Sequence, residues 1–309
     1  MAAQTTIRVA LDWTPNTIHT GLFLAQARGL YAGADLDVQL LPPDEDYTKS
    51  PAKRLEIGEV DLAICPSESC VAYAESGKMQ LQAIYAILQR DASALVATKL
   101  ERVAELGDGK VYGSYNARYE DAIVKAMVSA DGGNGEGVKV ERQHGKLSLF
   151  EATKSGQVDA TWVFVPWEGV EAELEGTETN YFRMEDFEIP YGYSPVIARN
   201  AAGGGVDGEA LRKFIRITRE AYESVELDAK VGVRALQQHC RPEKSEEFLK
   251  KSQESINRFY SDGGQLGTMS EQRWEVWLTW LEEQNMVQPG TVKVGSLFTN
   301  EFHHASKRR

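Results

Sequence analysis

The feature of this sequence that most constrains its fold is a strand-and-helix pattern that occurs twice. The stretch GEVDLAICPSESCVAYAE, residues 58–75, has a counterpart in GQVDATWVFVPWEGVEAE, residues 156–173. Each begins Gly-x-Val-Asp, continues as an apolar strand, and passes through a proline and a glutamate into a helix pattern. Strands that alternate with helices are typical of crossover units and mostly parallel sheets. Two similar halves predict an α/β protein with two lobes rather than one continuous sheet.

The elements around the two copies follow the same order. In the first half, apolar patterning predicts strands at 7–11, 36–41, 60–64, 81–88 and 95–97 and helices at 17–28, 50–57 and 68–76. In the second half it predicts strands at 110–113 and 138–142 and helices at 119–130 and 148–155. We therefore expect residues 1–95 and 190–309 to form one lobe, residues 96–189 to form the other, and a ligand cleft to lie between them.

The C-terminal region is predicted to be helical. Between residues 207 and 285 the apolar residues recur with helical spacing, and Trp274, Trp277, Leu278 and Leu281 fall on one face. Such a stripe is typical of core packing. The pair His303-His304 is predicted to lie in a tail.

Composition disfavours several classes of partner. The chain has 309 residues, of which 42% are hydrophobic and 26% charged, as is typical of a globular protein with a full core. Its net charge of -12 disfavours nucleic acid and anionic membranes, because both attract clustered lysine and arginine. No apolar run approaches the ~20 residues of a membrane span, so we expect no membrane insertion.

The N-terminal segment and the cysteines bear on location and cofactors. The start MAAQTTIRV lacks the features of a secretory signal and favours a cytoplasmic protein; a periplasmic or extracellular protein without its signal is the alternative. Cys65, Cys70 and Cys240 lack the spacing of a zinc knuckle, so reduced thiols are expected. No P-loop, dinucleotide-binding glycine motif, nucleophile elbow or HExxH motif occurs. We therefore expect no metal, no cofactor and no catalytic residue.

Ligands of open α/β sheets bind at the carboxyl ends of strands, where helices begin. The first such corner is DWTPN, residues 12–16, followed one turn later by His19. Trp13 offers an aromatic face, Asp12 accepts hydrogen bonds, and Asn16 donates and accepts them. Structural roles are the alternatives: Asn16 as a helix cap, Trp13 as a core residue and His19 as a buried histidine. The combination at one strand end favours a binding role.

Two further corners carry polar or aromatic side chains. Ser67 and Glu68 follow a strand at a helix N-terminus, where exposed N–H groups favour an acceptor or an anion, although a capping pair is the alternative. Tyr115 lies in GSYNAR, residues 113–118, again between a strand and a helix. It is a candidate ligand contact, with a plain turn as the alternative.

The fourth corner is WVFVPWEG, residues 162–169, which contains Trp162, Trp167 and Glu168. Aromatic rings beside a carboxylate suit a flat heteroaromatic ring with an amino group, because stacking holds the ring and Glu168 pairs with the amino group and a ring nitrogen. The alternatives place Trp162 in the core and Glu168 in the first helical turn. Tyr191 and Tyr193, in the segment PYGY, are candidates to close over the ligand.

The opening LDWTPNTIHTGLFLAQARGLY closely resembles the NMT1/THI5-like (SsuA/THI5) family of periplasmic-binding-protein folds, and within it the bacterial binding proteins for pyrimidine precursors of thiamine. The resemblance continues through GEVDLAI and WEGVE and covers residues 7–200. It implies a two-lobed, hinged fold of type II that holds an aminopyrimidine between aromatic rings, with a carboxylate on its polar edge. Trp13, Glu68, Trp167, Glu168 and Tyr191 take these roles by resemblance.

The same superfamily includes the eukaryotic pyrimidine synthase of thiamine biosynthesis. That enzyme has a lysine for pyridoxal phosphate, a sacrificial histidine in the segment after GxVD, and a cysteine-rich iron-binding run. Here Cys65 and Ser69 occupy the lysine and histidine positions, and residues 180–200 contain no cysteine. These departures disfavour the enzyme, which remains an alternative. A further alternative is a binder of a different ligand: a sulfonate, which the acidic corners disfavour, a riboflavin-like ring or another small heterocycle.

The leading hypothesis is a substrate-binding protein that closes two lobes over hydroxymethyl- or aminomethyl-aminopyrimidine and, if exported, serves an ABC transporter. The candidate ligand-binding residues share a position at or near a strand-to-helix corner or the predicted hinge; they are Asp12, Trp13, Asn16, His19, Ser67, Glu68, Tyr115, Trp162, Trp167, Glu168 and Tyr191.

Overall fold

A computed structural model describes residues 4–44, 47–142, 149–203 and 205–304. The strands of its two large sheets are β1 (Thr5–Ala10), β2 (Leu36–Leu41), β3 (Leu62–Cys65), β4 (Leu81–Ala86), β5 (Ser93–Ala97), β6 (Val111–Ser114), β7 (Lys139–Arg142), β8 (Ala160–Phe164), β9 (Asn180–Phe182) and β10 (Val196–Asn200). The helices are α1 (Thr20–Ala27), α2 (Pro51–Glu56), α3 (Ser67–Ser76), α4 (Glu120–Ala130), α5 (Leu149–Ser155), α6 (Val170–Glu175), α7 (Gly208–Leu227), α8 (Ala229–Gln237), α9 (Glu246–Tyr260), α10 (Glu271–Glu283) and α11 (Val294–Leu297). Single-turn segments at Thr17–His19 and Val165–Gly169 precede α1 and α6.

The two sheets have the same design. The first has the strand order β2-β1-β3-β10-β4, and the second has the order β7-β6-β8-β5-β9. In each sheet four strands are parallel and one is reversed: β10 in the first and β5 in the second. Each reversed strand is the first one after the chain crosses from the other sheet: β5 follows β4, and β10 follows β9. The predicted duplication is thus present in the topology.

Local sequence explains where the helices near the cleft begin and end. Asn16 caps the turn before α1, because its Oδ1 accepts the N–H of Ile18 at 2.8 Å. Ser50 caps α2 in the same way, with proline as the first helical residue. Helix α3 ends at Gly77, whose φ of +64° lies in the left-handed region that favours glycine. These ends agree with the predicted bounds to within a few residues.

The C-terminal helices complete the core. The stripe predicted on α10 is buried, with Trp274 and Trp277 at 1% and 0% exposure, so the prediction of core packing is confirmed. The prediction that His303 lies in a tail is wrong. Its Nε2 lies 3.0 Å from the carbonyl oxygen of Ile84, its ring stacks on Tyr85, and burial lowers its pKa to about 4. The neighbouring Phe302 anchors this segment in the core.

The sheets indicate how the chain is shared between the two halves. The predicted boundary between residues 95 and 96 falls inside β5, all of which pairs within the second sheet. The chain passes from one sheet to the other between β4 and β5 and returns between β9 and β10. The division into domains remains a prediction. Among the described helices, none is long and apolar enough to cross a membrane.

Candidate ligand cleft

A cavity of about 180 Å³ lies between the strand ends of the two sheets. Its lining residues come from the β1–α1, β6–α4 and β8–α6 corners and from both connections between the sheets; they are Asp12, Trp13, Asn16, Ile18, Ser93, Tyr115, Trp162, Val163, Phe164, Trp167, Glu168, Ser194 and Pro195. An engineered apolar cavity of about 150 Å³ accepts benzene, so this space is large enough for a single heteroaromatic ring. The structure therefore brings three of the four predicted corners to one place.

The β1–α1 corner presents Asp12 to the cavity through a fixed hydrogen-bond chain. The N–H of Asn16 donates to Nδ1 of His19 at 3.3 Å, so the ring proton lies on Nε2. That nitrogen donates to Oδ1 of Asp12 at 2.7 Å. His19 is fully buried and Asp12 is 22% exposed. His19 therefore lies behind the cavity and holds Asp12, while Asn16 both caps the turn and lines the cavity.

Aromatic rings from both sheets form the walls. Trp13 packs against Tyr115 with ring centroids 5.5 Å apart and planes nearly perpendicular. Trp13 also contacts Tyr47 at 5.4 Å, a residue that sequence reasoning missed because it lies in a loop without a strand-end signal. Trp162 and Trp167 line the opposite side. Such rings provide the flat, apolar surfaces that hold a planar ligand.

Glu168 is the carboxyl group that the second sheet contributes among the described residues of the cavity lining. Its Oε2 accepts the N–H of Phe164 at 2.9 Å, which fixes the carboxyl group at the end of β8. Burial raises the pKa of Glu168 to about 7 and outweighs the hydrogen bond and the nearby Lys244, both of which lower it. Near neutral pH this group is therefore available both as an acid that donates a hydrogen bond and as a carboxylate that accepts one.

The β3–α3 corner lies one layer behind the cavity. Ser67 and Glu68 are 0% and 4% exposed, and neither lines it. Glu68 accepts hydrogen bonds from the hydroxyl groups of Tyr191 and Ser67. Tyr191 in turn packs against Trp162, with ring centroids 5.6 Å apart. This cluster supports the wall of the cavity, and direct ligand contact by Ser67, Glu68 or Tyr191 remains a prediction.

Glu68 is expected to make stability depend on pH. Burial raises its pKa from 4.5 to about 7, so the native state binds the proton more tightly than the unfolded chain and stability falls as pH rises through this range. Glu68→Gln cannot titrate. Urea unfolding measures the difference in free energy of unfolding between the wild type and this variant. As the pH rises from 4.5 to about 7, that difference should fall by up to about 3 kcal/mol. If the stability of the two proteins depended on pH in the same way, Glu68 would not be the cause. Glu185→Gln, at an exposed position, is the control and should keep the pH dependence of the wild type.

Several cavity residues carried no recognisable sequence signal. Ser93 begins β5 and Ser194 precedes β10, the two strands that follow the crossings between the sheets. They reach the cavity because β5 pairs with β8 and β10 pairs with β3, strands that are far away in the sequence. Tyr193, expected near the ligand, is buried against Trp274, and its hydroxyl accepts the N–H of Ser270 at 2.9 Å. Within the described ranges no group of three or more His, Cys, Asp or Glu side chains is arranged to hold a metal ion.

Comparison with known proteins places this architecture in a family. A family model described as NMT1/THI5 like matches residues 16–226. The chain belongs to the NMT1/THI5-like family. A formylaminopyrimidine-binding protein from Halalkalibacterium halodurans is 23% identical over 297 residues, which span 94% of this chain and 88% of that protein. The membership predicted from the N-terminal corner and the Gly-x-Val-Asp motifs is therefore confirmed.

Solved structures share the fold across the whole NMT1/THI5-like chain. The ligand-binding component of an ABC-type import system from Staphylococcus aureus gives a TM-score of 0.73 at 13% identity, over 97% of this chain and 98% of that one. The periplasmic aliphatic sulphonate-binding protein SsuA from Escherichia coli gives 0.66 at 12% identity, over 94% and 91%. The two-lobed periplasmic-binding-protein fold, with its helical C-terminal region, is thereby confirmed.

Proposed function

We propose that this protein is a substrate-binding protein that encloses a thiamine-related aminopyrimidine, such as a formylamino-, hydroxymethyl- or aminomethyl-pyrimidine, between two lobes. The observation that carries the proposal is the chemistry of the cavity: aromatic walls with the carboxyl groups of Asp12 and Glu168. Stacking holds the ring, and a carboxyl group pairs with the amino group and the adjacent ring nitrogen. The name of the Halalkalibacterium relative supports this class of ligand.

The cavity disfavours the anionic ligand of the sulphonate-binding neighbour. None of the described residues that line it is lysine or arginine, whereas two are acidic. A sulfonate in this space would face like charge without a compensating cation, which is costly in a partly buried site. A fold shared with a sulphonate-binding protein is therefore not evidence that the two proteins bind the same ligand.

Titration calorimetry on the full chain tests the proposal. The panel contains formylaminopyrimidine, hydroxymethyl- and aminomethyl-pyrimidine, and an alkanesulfonate as the control. We expect saturable binding of at least one aminopyrimidine and no heat from the sulfonate. Binding of the sulfonate alone would overturn the proposal. Native mass spectrometry before and after denaturation adds a second readout, because a covalent increment that survives denaturation would revive the enzyme alternative.

We also propose that the protein acts outside the cytoplasm and delivers its ligand to an ABC transporter. The neighbours from an ABC-type import system and from a periplasm support this, and the comparisons give no support to the cytoplasmic expectation. On this view residues 1–95 with 190–309 and residues 96–189 approximate the two lobes that close on the ligand. Fractionation of cells that express the complete gene, with a periplasmic marker, tests the location.

A further inference from the structure

Helix α9 is firmly attached to the helices of the first sheet. The hydroxyl groups of Ser252 and Thr17 lie 2.7 Å apart, and Thr20 donates to Oε1 of Gln253 at 2.6 Å. Near its C-terminal end, the hydroxyl of Tyr260 donates to the backbone oxygen of Thr17. Each of these groups is buried. These buried hydrogen bonds join the helix to the turn that follows Asp12 and Trp13.

The N-terminal end of α9 reaches across to the second sheet. Phe248 packs edge-on against Trp167 with ring centroids 4.7 Å apart. Nζ of Lys244 lies 2.8 Å from Oε2 of Glu171, and both side chains are only about one-fifth exposed. One turn after Phe248 on α9, Lys251 pairs with Glu173 on α6. One apolar and two ionic contacts thus join α9 to the segment that contains the cavity residues Trp167 and Glu168.

These contacts are suited to hold the two lobes together. If the cleft opens by moving residues 165–175 away from α9, all three contacts break when the ligand leaves. Contacts that exist only in a closed arrangement slow dissociation more than they change association. Neither Lys244, which lies two residues before α9, nor Phe248 or Lys251 on α9 lines the cavity.

We propose that Lys244, Phe248 and Lys251 form a latch that binds Trp167, Glu171 and Glu173 and sets the rate at which the enclosed ligand is released. The inference rests on the proposed binding function for its ligand, but the latch itself is a property of the two lobes. It assigns a kinetic role to residues outside the ligand cavity.

The chain offers a matched control for the latch. Lys154, on α5, pairs with Glu151 and Glu175 and lies 3.7 Å from Glu171, so it belongs to the same cluster of carboxylates. It comes from the second half, however, and does not bridge to α9. Removing its charge perturbs the same cluster while the contacts with α9 remain.

Stopped-flow dissociation of the bound aminopyrimidine tests the latch. For the variant K244Q/K251Q we expect the dissociation rate to rise about tenfold, with an almost unchanged association rate. Added salt should speed release from the wild type and leave the double variant nearly unaffected, because salt screens the ion pairs. K154Q should behave like the wild type. Equal dissociation rates for the wild type and the double variant would overturn the proposal.

A second measurement needs no ligand and so separates failure of the latch from failure of the proposed function. Small-angle scattering of the ligand-free proteins should give a larger radius of gyration for K244Q/K251Q than for the wild type or K154Q. Identical scattering by the double variant and the wild type would count against the latch whether or not an aminopyrimidine binds. Urea midpoints confirm that the variants remain folded.

Discussion

Replacing Trp13 by alanine is expected to weaken binding of the aminopyrimidine about 5- to 150-fold. The indole lies on the cavity wall, where Tyr115 and Tyr47 hold its edge and orientation. Removing a ring on which a planar heterocycle stacks costs about 1–3 kcal/mol of binding free energy. Titration calorimetry of the variant against the best ligand of the wild type measures this loss.

Two control variants separate stacking from a general loss of stability. Trp13→Phe keeps a ring at the position and should recover most of the affinity. Trp280→Ala removes a tryptophan of intermediate exposure that stacks on Trp277, outside the cavity, and should leave affinity unchanged. If Trp13→Ala bound as tightly as the wild type, the corner at residues 12–16 would be structural only.

Affinity is expected to fall by up to tenfold for each unit of pH above about 7, and Glu168 is expected to be the cause. A carboxyl group pairs with a neutral aminopyrimidine through two hydrogen bonds only in its protonated form, which donates to the ring nitrogen and accepts from the amino group. Because burial raises the pKa of Glu168 to about 7, the free protein supplies that acid below this pH. Above it, binding must take up a proton. Calorimetry from about pH 6 to about pH 9 measures the slope.

Substitution of Glu168 distinguishes this explanation from a general effect of pH. Glutamine presents one donor and one acceptor at every pH, so Glu168→Gln should retain binding and lose the pH dependence. Leucine presents neither, and Glu168→Leu should bind about 10- to 100-fold more weakly. A flat profile for the wild type, or an equal loss of affinity in both variants, would rule out a paired, protonated Glu168.

Local patterns in the sequence were sufficient for most of the elements and for the family. Alternating strands and helices, the repeated Gly-x-Val-Asp motif and caps such as Asn16 depend on residues within a few positions of one another. For the same reason the aromatic and acidic corners at 12–16 and 162–169 could be recognised as candidate site segments. Seven of the predicted residues line the cavity: Asp12, Trp13, Asn16, Tyr115, Trp162, Trp167 and Glu168.

The sequence by itself determined two α/β halves, their polar and aromatic strand ends and the family resemblance, while only the tertiary structure decided which of those strand ends meet. Ser67 and Glu68 have the same local context as the cavity residues, yet the packing of α3 places them behind Tyr191. Ser93 lies in the cavity and Phe248 packs behind Trp167, because strands and helices far apart in the chain are paired there. Burial of this kind, which also raises the pKa of Glu168, is a property of the assembled lobes, and local sequence does not encode it.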